Sequence, residues 1–306
     1  MDVRTTTVWV GQHELVANVF GSGSPTVVIE PALGGDAEAW RWLAEVLAEQ
    51  TQVVTYDRAP YGASSAARDA RTPQDVARDL DGVLRGLGIR GPLVLVGHSL
   101  GGVYIRAYAA VHGDSVAGMV LVDSSHEDQR RAMRGKTPWK WRLMDALVIP
   151  SIIAEPRDRR RGGDRRSLIR EFRSFRRLTA ADRMLTPGAL GEKPLIVLTR
   201  AQDHESASSG FWPVWRDLQA DLLRLSSNSR HIIARTPDHY LHVADPDGVL
   251  CAMTDVVRSA RTGKPLSGAA AAAAAPDRLV AAASAVSRAG GVRDDCGDRG
   301  DHQSDR

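Results

Sequence analysis

The stretch Leu93-Val94-Leu95-Val96-Gly97-His98-Ser99-Leu100-Gly101-Gly102 constrains what this chain can fold into more than any other. An apolar, strand-forming run stops at a glycine, one serine follows, and small residues lead into a helical pattern. The pentad Gly97-His98-Ser99-Leu100-Gly101 fits G-x-S-x-G, the nucleophile-elbow pattern. In that turn the serine takes strained dihedrals and its hydroxyl stands clear of the backbone. Gly97 and Gly101 are required because a Cβ at either place would meet the neighbouring strand or helix. The pentad gains meaning from its setting, a buried-strand run before it and a helix after it.

The rest of the chain repeats that alternation. Thr5 to Val10 and His13 to Phe20 read as an opening β-hairpin around Gly11-Gln12, and Thr26 to Glu30 as a short buried strand. The loop Pro31-Ala32-Leu33-Gly34-Gly35 ends at Asp36, a cap for a helix over 37–49. Gln52 to Tyr56 is a strand, and Thr72-Pro73 opens a helix, with Thr as N-cap and Pro at the first helical position. After the strand at 93–96 and a helix over 99–112, Val116 to Asp123 is another buried strand. Leu195 to Thr199 and His231 to Ala234 are the last two strands, with helices over 211–225 and 247–260. Short apolar strands alternating with helices predict a mostly parallel sheet covered on both faces. Residues 124–191 break the alternation with helical, basic segments and are expected to form an inserted cap, leaving 1–123 and 192–261 as the core. From 262 to 306 the chain turns to a seven-alanine run and small or charged residues, too poor in apolar surface to offset ordering, and is expected to be disordered.

Composition narrows the possible functions. With 306 residues, 43% apolar and 25% charged, the chain has an ordinary globular make-up. A net charge of +3 points away from nucleic acid and from stable membrane insertion. Its two cysteines, Cys251 and Cys296, have neither metal-ligand spacing nor a disulfide framework. Met1 to Thr5 has no apolar signal core, and no run of roughly 18 apolar residues exists to span a bilayer. The expectation is a cytoplasmic protein without cofactor or metal, its oligomeric state left open.

A serine hydroxyl needs a base within hydrogen-bond reach, itself oriented by a carboxylate. Asp203, after the strand at 195–199, and His239, after the strand at 231–234, follow Ser99 in the order such a sheet requires. Asp123, ending the strand at 116–123, is the competing acid, and His242 the competing base. Negative charge developing on a substrate oxygen needs two backbone N–H donors. Leu100, at the positive end of its helix, supplies one, and Leu33 is chosen for the other.

Five segments together resemble the α/β-hydrolase superfamily: P-A-L-G-G (31–35), Y-D-R-x-x-Y-G (56–62), G-H-S-L-G-G (97–102), V-L-V-D-S (120–124) and D-H-Y (238–240). The resemblance spans about residues 5–260. It implies an eight-stranded, mostly parallel sheet with only the second strand antiparallel, and a cap after the sixth strand. It carries Ser99 over as nucleophile, Asp203 as acid and His239 as base. The oxyanion loop has Pro31-Ala32 where the family commonly has a His-Gly pair, and Asp238 stands where a small residue usually precedes the histidine. A serine at 99 speaks against the branches whose nucleophile is a carboxylate.

The expected activity is cleavage of a small-molecule ester or related acyl substrate through an acyl-enzyme. An acyltransferase or perhydrolase on the same residues is the alternative, and a ligand sensor with a vestigial site a third. Within 157–183, rich in arginine, Leu168, Ile169, Phe172, Phe175 and Leu178 recur at helical spacing, which predicts an amphipathic cap helix. Trp139, Trp141, Trp212 and Trp215 are candidates for an acyl pocket. Asp57 and Arg58 read as an ion pair at the rim, and His126-Glu127-Asp128 lacks a second histidine spaced to hold a metal.

Overall fold

The computed structural model describes residues 3–65, 71–134, 165–178, 182–203 and 210–267. Eight strands form one sheet in the order β1-β2-β4-β3-β5-β6-β7-β8. They are β1 (Val3–Val10), β2 (His13–Phe20), β3 (Thr26–Glu30), β4 (Val53–Tyr56), β5 (Leu93–His98), β6 (Val116–Val122), β7 (Leu195–Thr199) and β8 (Ser229–Ile233). β2 runs antiparallel to both β1 and β4, and every other pairing is parallel. This is the topology expected, including the single reversed strand.

The helices are α1 (Arg41–Leu47), α2 (Pro73–Gly86), α3 (Leu100–His112), α4 (Gln129–Ala132), α5 (Arg165–Arg177), α6 (Phe211–Leu223), α7 (Leu241–Ala244) and α8 (Pro246–Thr262). α2 starts as its sequence predicts: Thr72 accepts from the Asp75 N–H and the Asp75 carboxylate returns to the Thr72 N–H, with Pro73 at the first turn. The helix expected over 37–49 opens instead with a 3-10 turn at Glu38–Trp40, where Asp36 Oδ1 accepts from the Ala39 N–H at 3.2 Å. Of the expected cap, α4 and α5 lie among the described residues, whereas Trp139, Trp141 and the arginines from 157 to 161 lie outside them, as does the tail from 268.

Alternation along the parallel strands builds two apolar layers. Leu93 and Leu95 of β5 face Leu80, Val83 and Leu84 of α2 and Ile105 of α3. Val94 and Val96 face the opposite way, toward Leu43 and Leu47 of α1 and Val249, Met253 and Val256 of α8. Each such side chain contributes about 1.5–3 kcal/mol when fully buried. The packing therefore fixes the sheet, and with it one edge. There the carboxyl ends of β3, β5, β6, β7 and β8 deliver the loops carrying Leu33, Ser99, Asp123, Asp203 and His239.

Candidate active site

Ser99 sits between β5 and α3 at φ 53°, ψ −119°. This is the left-handed side of backbone space, which a serine occupies only when its surroundings impose it. A Cβ on Gly101 would run into the backbone carbonyls of Glu30 and Pro31, and one on Gly97 into the backbone of Gly101 and Gly102. The helix can therefore start directly against the end of β3 because both residues lack a side chain. The Ser99 N–H donates to the Val122 carbonyl at 3.0 Å, and the Ser125 N–H to the Ser99 carbonyl at 2.9 Å. These bonds tie the elbow to the end of β6.

Asp123 follows β6 directly and is also held at positive φ, 39°. Its carboxylate has no exposure to solvent, and Oδ2 lies 2.6 Å from His239 Nδ1. Oδ1 accepts from the Trp215 indole N–H at 3.0 Å and from the Arg200 N–H at 3.3 Å. The Arg200 guanidinium stands 3.7 Å from Oδ2. A carboxylate so surrounded by donors accepts from His239, so the imidazole carries its proton on Nδ1 and leaves the Nε2 lone pair open. His239, on the loop after β8, remains 31% exposed.

The partner of His239 is therefore Asp123, and not Asp203 as the order of residues along the chain led us to expect. Both aspartates follow neighbouring strands, and the positive φ at 123 turns that side chain back under the β8 loop, where Trp215 of α6 completes its shell. His204 and Glu205 lie outside the described residues.

Two further histidines flank the site. His98 is fully buried, and its Nε2–H donates to the His239 carbonyl at 2.8 Å, so the x position of the elbow anchors the base loop. Burial, then His239 and His242, hold its pKa well below the ordinary value. His242 stacks on Trp40 at 4.5 Å with its Nδ1 unpartnered, and its pKa is pushed down to about 4, chiefly by burial. Lacking a carboxylate on Nδ1, His242 is not arranged as a general base. The Asp238 carboxylate accepts from the Tyr240 N–H at 2.7 Å.

Leu100 opens α3, where a first-turn N–H has no intrahelical acceptor. Leu33 packs against the cluster formed by Leu100, Val103, Tyr104 and Val76, so the two expected oxyanion donors belong to adjoining backbone segments.

Asp57 and Arg58 do not pair with each other. Asp57 accepts from the Ala37 and Ala63 N–H groups at 2.9 and 2.8 Å, and Gly62 leaves room for it at φ 56°. Arg58 is 2% exposed and pairs with Glu30 and with Glu171 of α5. Glu127 pairs with Arg106, and His126 Nε2 lies 3.2 Å from Asp221, so this segment serves buried ion pairs. Among the described residues no group of three or more His, Cys, Asp or Glu could hold a metal ion, and no helix is long and apolar enough to cross a membrane. Arg200 has no signal in the sequence that ties it to Asp123, and Trp215, expected with Trp212 at an acyl pocket, is buried against Met133, Val214 and Leu218 with its indole N–H on Asp123. Glu30 and Glu171 carried a visible signal, an acid where the strand or helix pattern calls for an apolar residue.

Residues 25–151 match a family described as the alpha/beta hydrolase fold. A Bacillus subtilis protein, YqjL, is 25% identical over 236 residues, covering 77% of this chain and 85% of that one. A Gibberella zeae member of the AB hydrolase superfamily is 23% identical over 281 residues, 78% of this chain and 87% of its own. The structure of a thermophilic esterase from Thermogutta terrifontis superposes with a TM-score of 0.63 at 20% identity, over 85% of this chain and all (100%) of that one. With its sheet order and its elbow, a family match over residues 25–151 and these likenesses, the chain has the alpha/beta hydrolase fold.

Proposed function

We propose that this protein is a serine hydrolase that cleaves a carboxylic ester of a small molecule through an acyl-enzyme. The observation that carries the reading is the buried Asp123 carboxylate, 2.6 Å from His239 Nδ1, beside a serine held at positive φ. His239 Nε2 takes the proton of the Ser99 hydroxyl as Oγ bonds to the ester carbonyl carbon. The carbonyl oxygen becomes an oxyanion held by the Leu33 and Leu100 N–H groups. Collapse breaks the ester C–O bond, and His239 returns the proton to the leaving alkoxide. Water then attacks the acyl carbon, giving its proton to His239, and the acid departs as Ser99 recovers it. Asp123 holds the required tautomer and stabilises the imidazolium that forms twice in the cycle. An ester is the substrate proposed because an alkoxide leaves with less help than an amine.

A fluorophosphonate probe tests this directly, because it reacts with an activated serine whatever the natural acyl group. Wild-type protein is expected to label on Ser99 and to hydrolyse p-nitrophenyl acetate, and Ser99→Ala to do neither while keeping its fold. Labelling at another residue, or esterase activity that survives Ser99→Ala, contradicts the proposal.

A further inference from the structure

Beneath the loop 31–35 lies a buried ionic cluster that the chemistry above does not use. Arg58 has five N–H donors; four make hydrogen bonds, and Nη2 also lies in ion-pair range of a carboxylate. Nη1 donates to Glu30 Oε1 at 2.5 Å and to the Pro31 carbonyl at 3.1 Å. Nη2 donates to the Ala32 carbonyl at 2.9 Å and pairs with Glu171 Oε1 at 2.8 Å. Nε donates to the same Glu171 oxygen at 3.0 Å. The guanidinium also lies over the rings of Tyr104 and Tyr61, 4.9 and 5.4 Å from their centres. Burial alone would lower the pKa of Arg58, but Glu171 and Glu30 outweigh it and hold the group charged. Arg58 is therefore engaged through every one of its nitrogens.

The Ala32 carbonyl and the Leu33 N–H belong to one planar peptide unit and point in opposite directions. The bond from Arg58 to that carbonyl thus fixes where the Leu33 N–H points. A second bond, from the Gly35 N–H to the same carbonyl at 3.0 Å, closes the turn around it. Arg58 is held from the other side by Glu171, 5% exposed, which α5 brings in from the segment between β6 and β7. Glu171 also accepts from the Tyr104 hydroxyl at 2.8 Å and from the Tyr61 hydroxyl. Phe175 and Leu178 seat the same face against the cluster that contains Leu100 and Val103.

We propose that Arg58 is a positioning residue for the oxyanion donor Leu33, and that Glu171 makes this positioning depend on the seating of α5 against the core. The inference rests on the hydrolase reading above. It makes α5 part of the catalytic geometry. A displaced α5 would remove the anchor of Arg58 and let the 32–33 peptide rotate.

The test compares Arg58→Lys and Glu171→Gln with wild-type on p-nitrophenyl acetate, with thermal melting as a check of folding. Lysine is a single point charge and cannot hold both carbonyls and both carboxylates. Glu171→Gln is nearly isosteric, keeps one acceptor oxygen and loses the charge, so it remains informative if Arg58→Lys does not fold. The expected result is a fall in kcat of about 10- to 100-fold with KM changed less than about threefold, as for a misplaced catalytic group. Inhibition by a boronic acid, whose adduct on serine places an oxygen in the oxyanion position, should weaken in parallel with kcat/KM. Folded variants with unchanged kcat, or with only a raised KM, overturn the inference while leaving the hydrolase reading intact. Wild-type turnover that does not depend on Ser99 overturns both, and the Ser99→Ala control tells the two failures apart.

Discussion

At the scale of single residues, the site is made of side chains placed where the backbone would not choose to put them. Ser99 at φ 53° and Asp123 at φ 39° each occupy a region that costs about 1–3 kcal/mol for a residue with a Cβ. Glycine at 99 would relieve that strain, against about 0.5–1 kcal/mol of extra entropy lost on folding. The strain term wins, so Ser99→Gly should be more stable than Ser99→Ala by about 1 kcal/mol, a rise in Tm of roughly 2–4 °C, with both variants inactive. Equal melting temperatures would mean that the elbow holds no strain. Asp123 was the harder residue to read. As the last residue of an apolar strand it looks structural, and only its dihedral and the reach of the β8 loop show which way its carboxylate turns.

At the scale of elements, every strand was legible from its apolar run, and α2 from its Thr72-Pro73 start, because these signals are local. What stayed hidden was non-local. Asp123 and Asp203 both satisfy the order serine, acid, histidine. The choice between them is made by Trp215 on α6 and the N–H of Arg200, groups that sequence proximity does not connect to Asp123. α5 shows the same division. Its stripe of Leu168, Phe172 and Phe175 was visible at helical spacing, whereas the partner of Glu171, set within that stripe, lies 113 residues earlier in the chain. The expected Asp57–Arg58 pair failed for a related reason. Neighbouring residues on an extended loop point to opposite sides, so Asp57 turns to backbone N–H groups and Arg58 to the cluster under the loop at 31–35.

At the scale of the whole molecule, histidines withdrawn from water make the fold weaker in acid. His231 and His242 are both pushed down from 6.5 to about 4, chiefly by burial. The unfolded chain therefore binds protons that the folded one excludes. Their stabilising effect is complete above pH 6.5 and is lost as pH falls toward 4, at up to about 1.4 kcal/mol per pH unit for each. Urea unfolding at pH 7 and pH 5 should show a smaller loss for His242→Phe, which keeps the stacking on Trp40, than for wild-type. Equal losses would remove His242 from the acid response. The same fold brings the ends of β5, β6 and β8 to one edge, where Asp123 orients His239. Measuring kcat/KM for Asp123→Asn and Asp203→Asn on one ester tests that pairing most directly. Asp123→Asn should lose about 10⁴-fold, as expected when the acid of a triad no longer fixes the tautomer, and Asp203→Asn less than about tenfold. The reverse ranking would make Asp203, and not Asp123, the acid that serves His239.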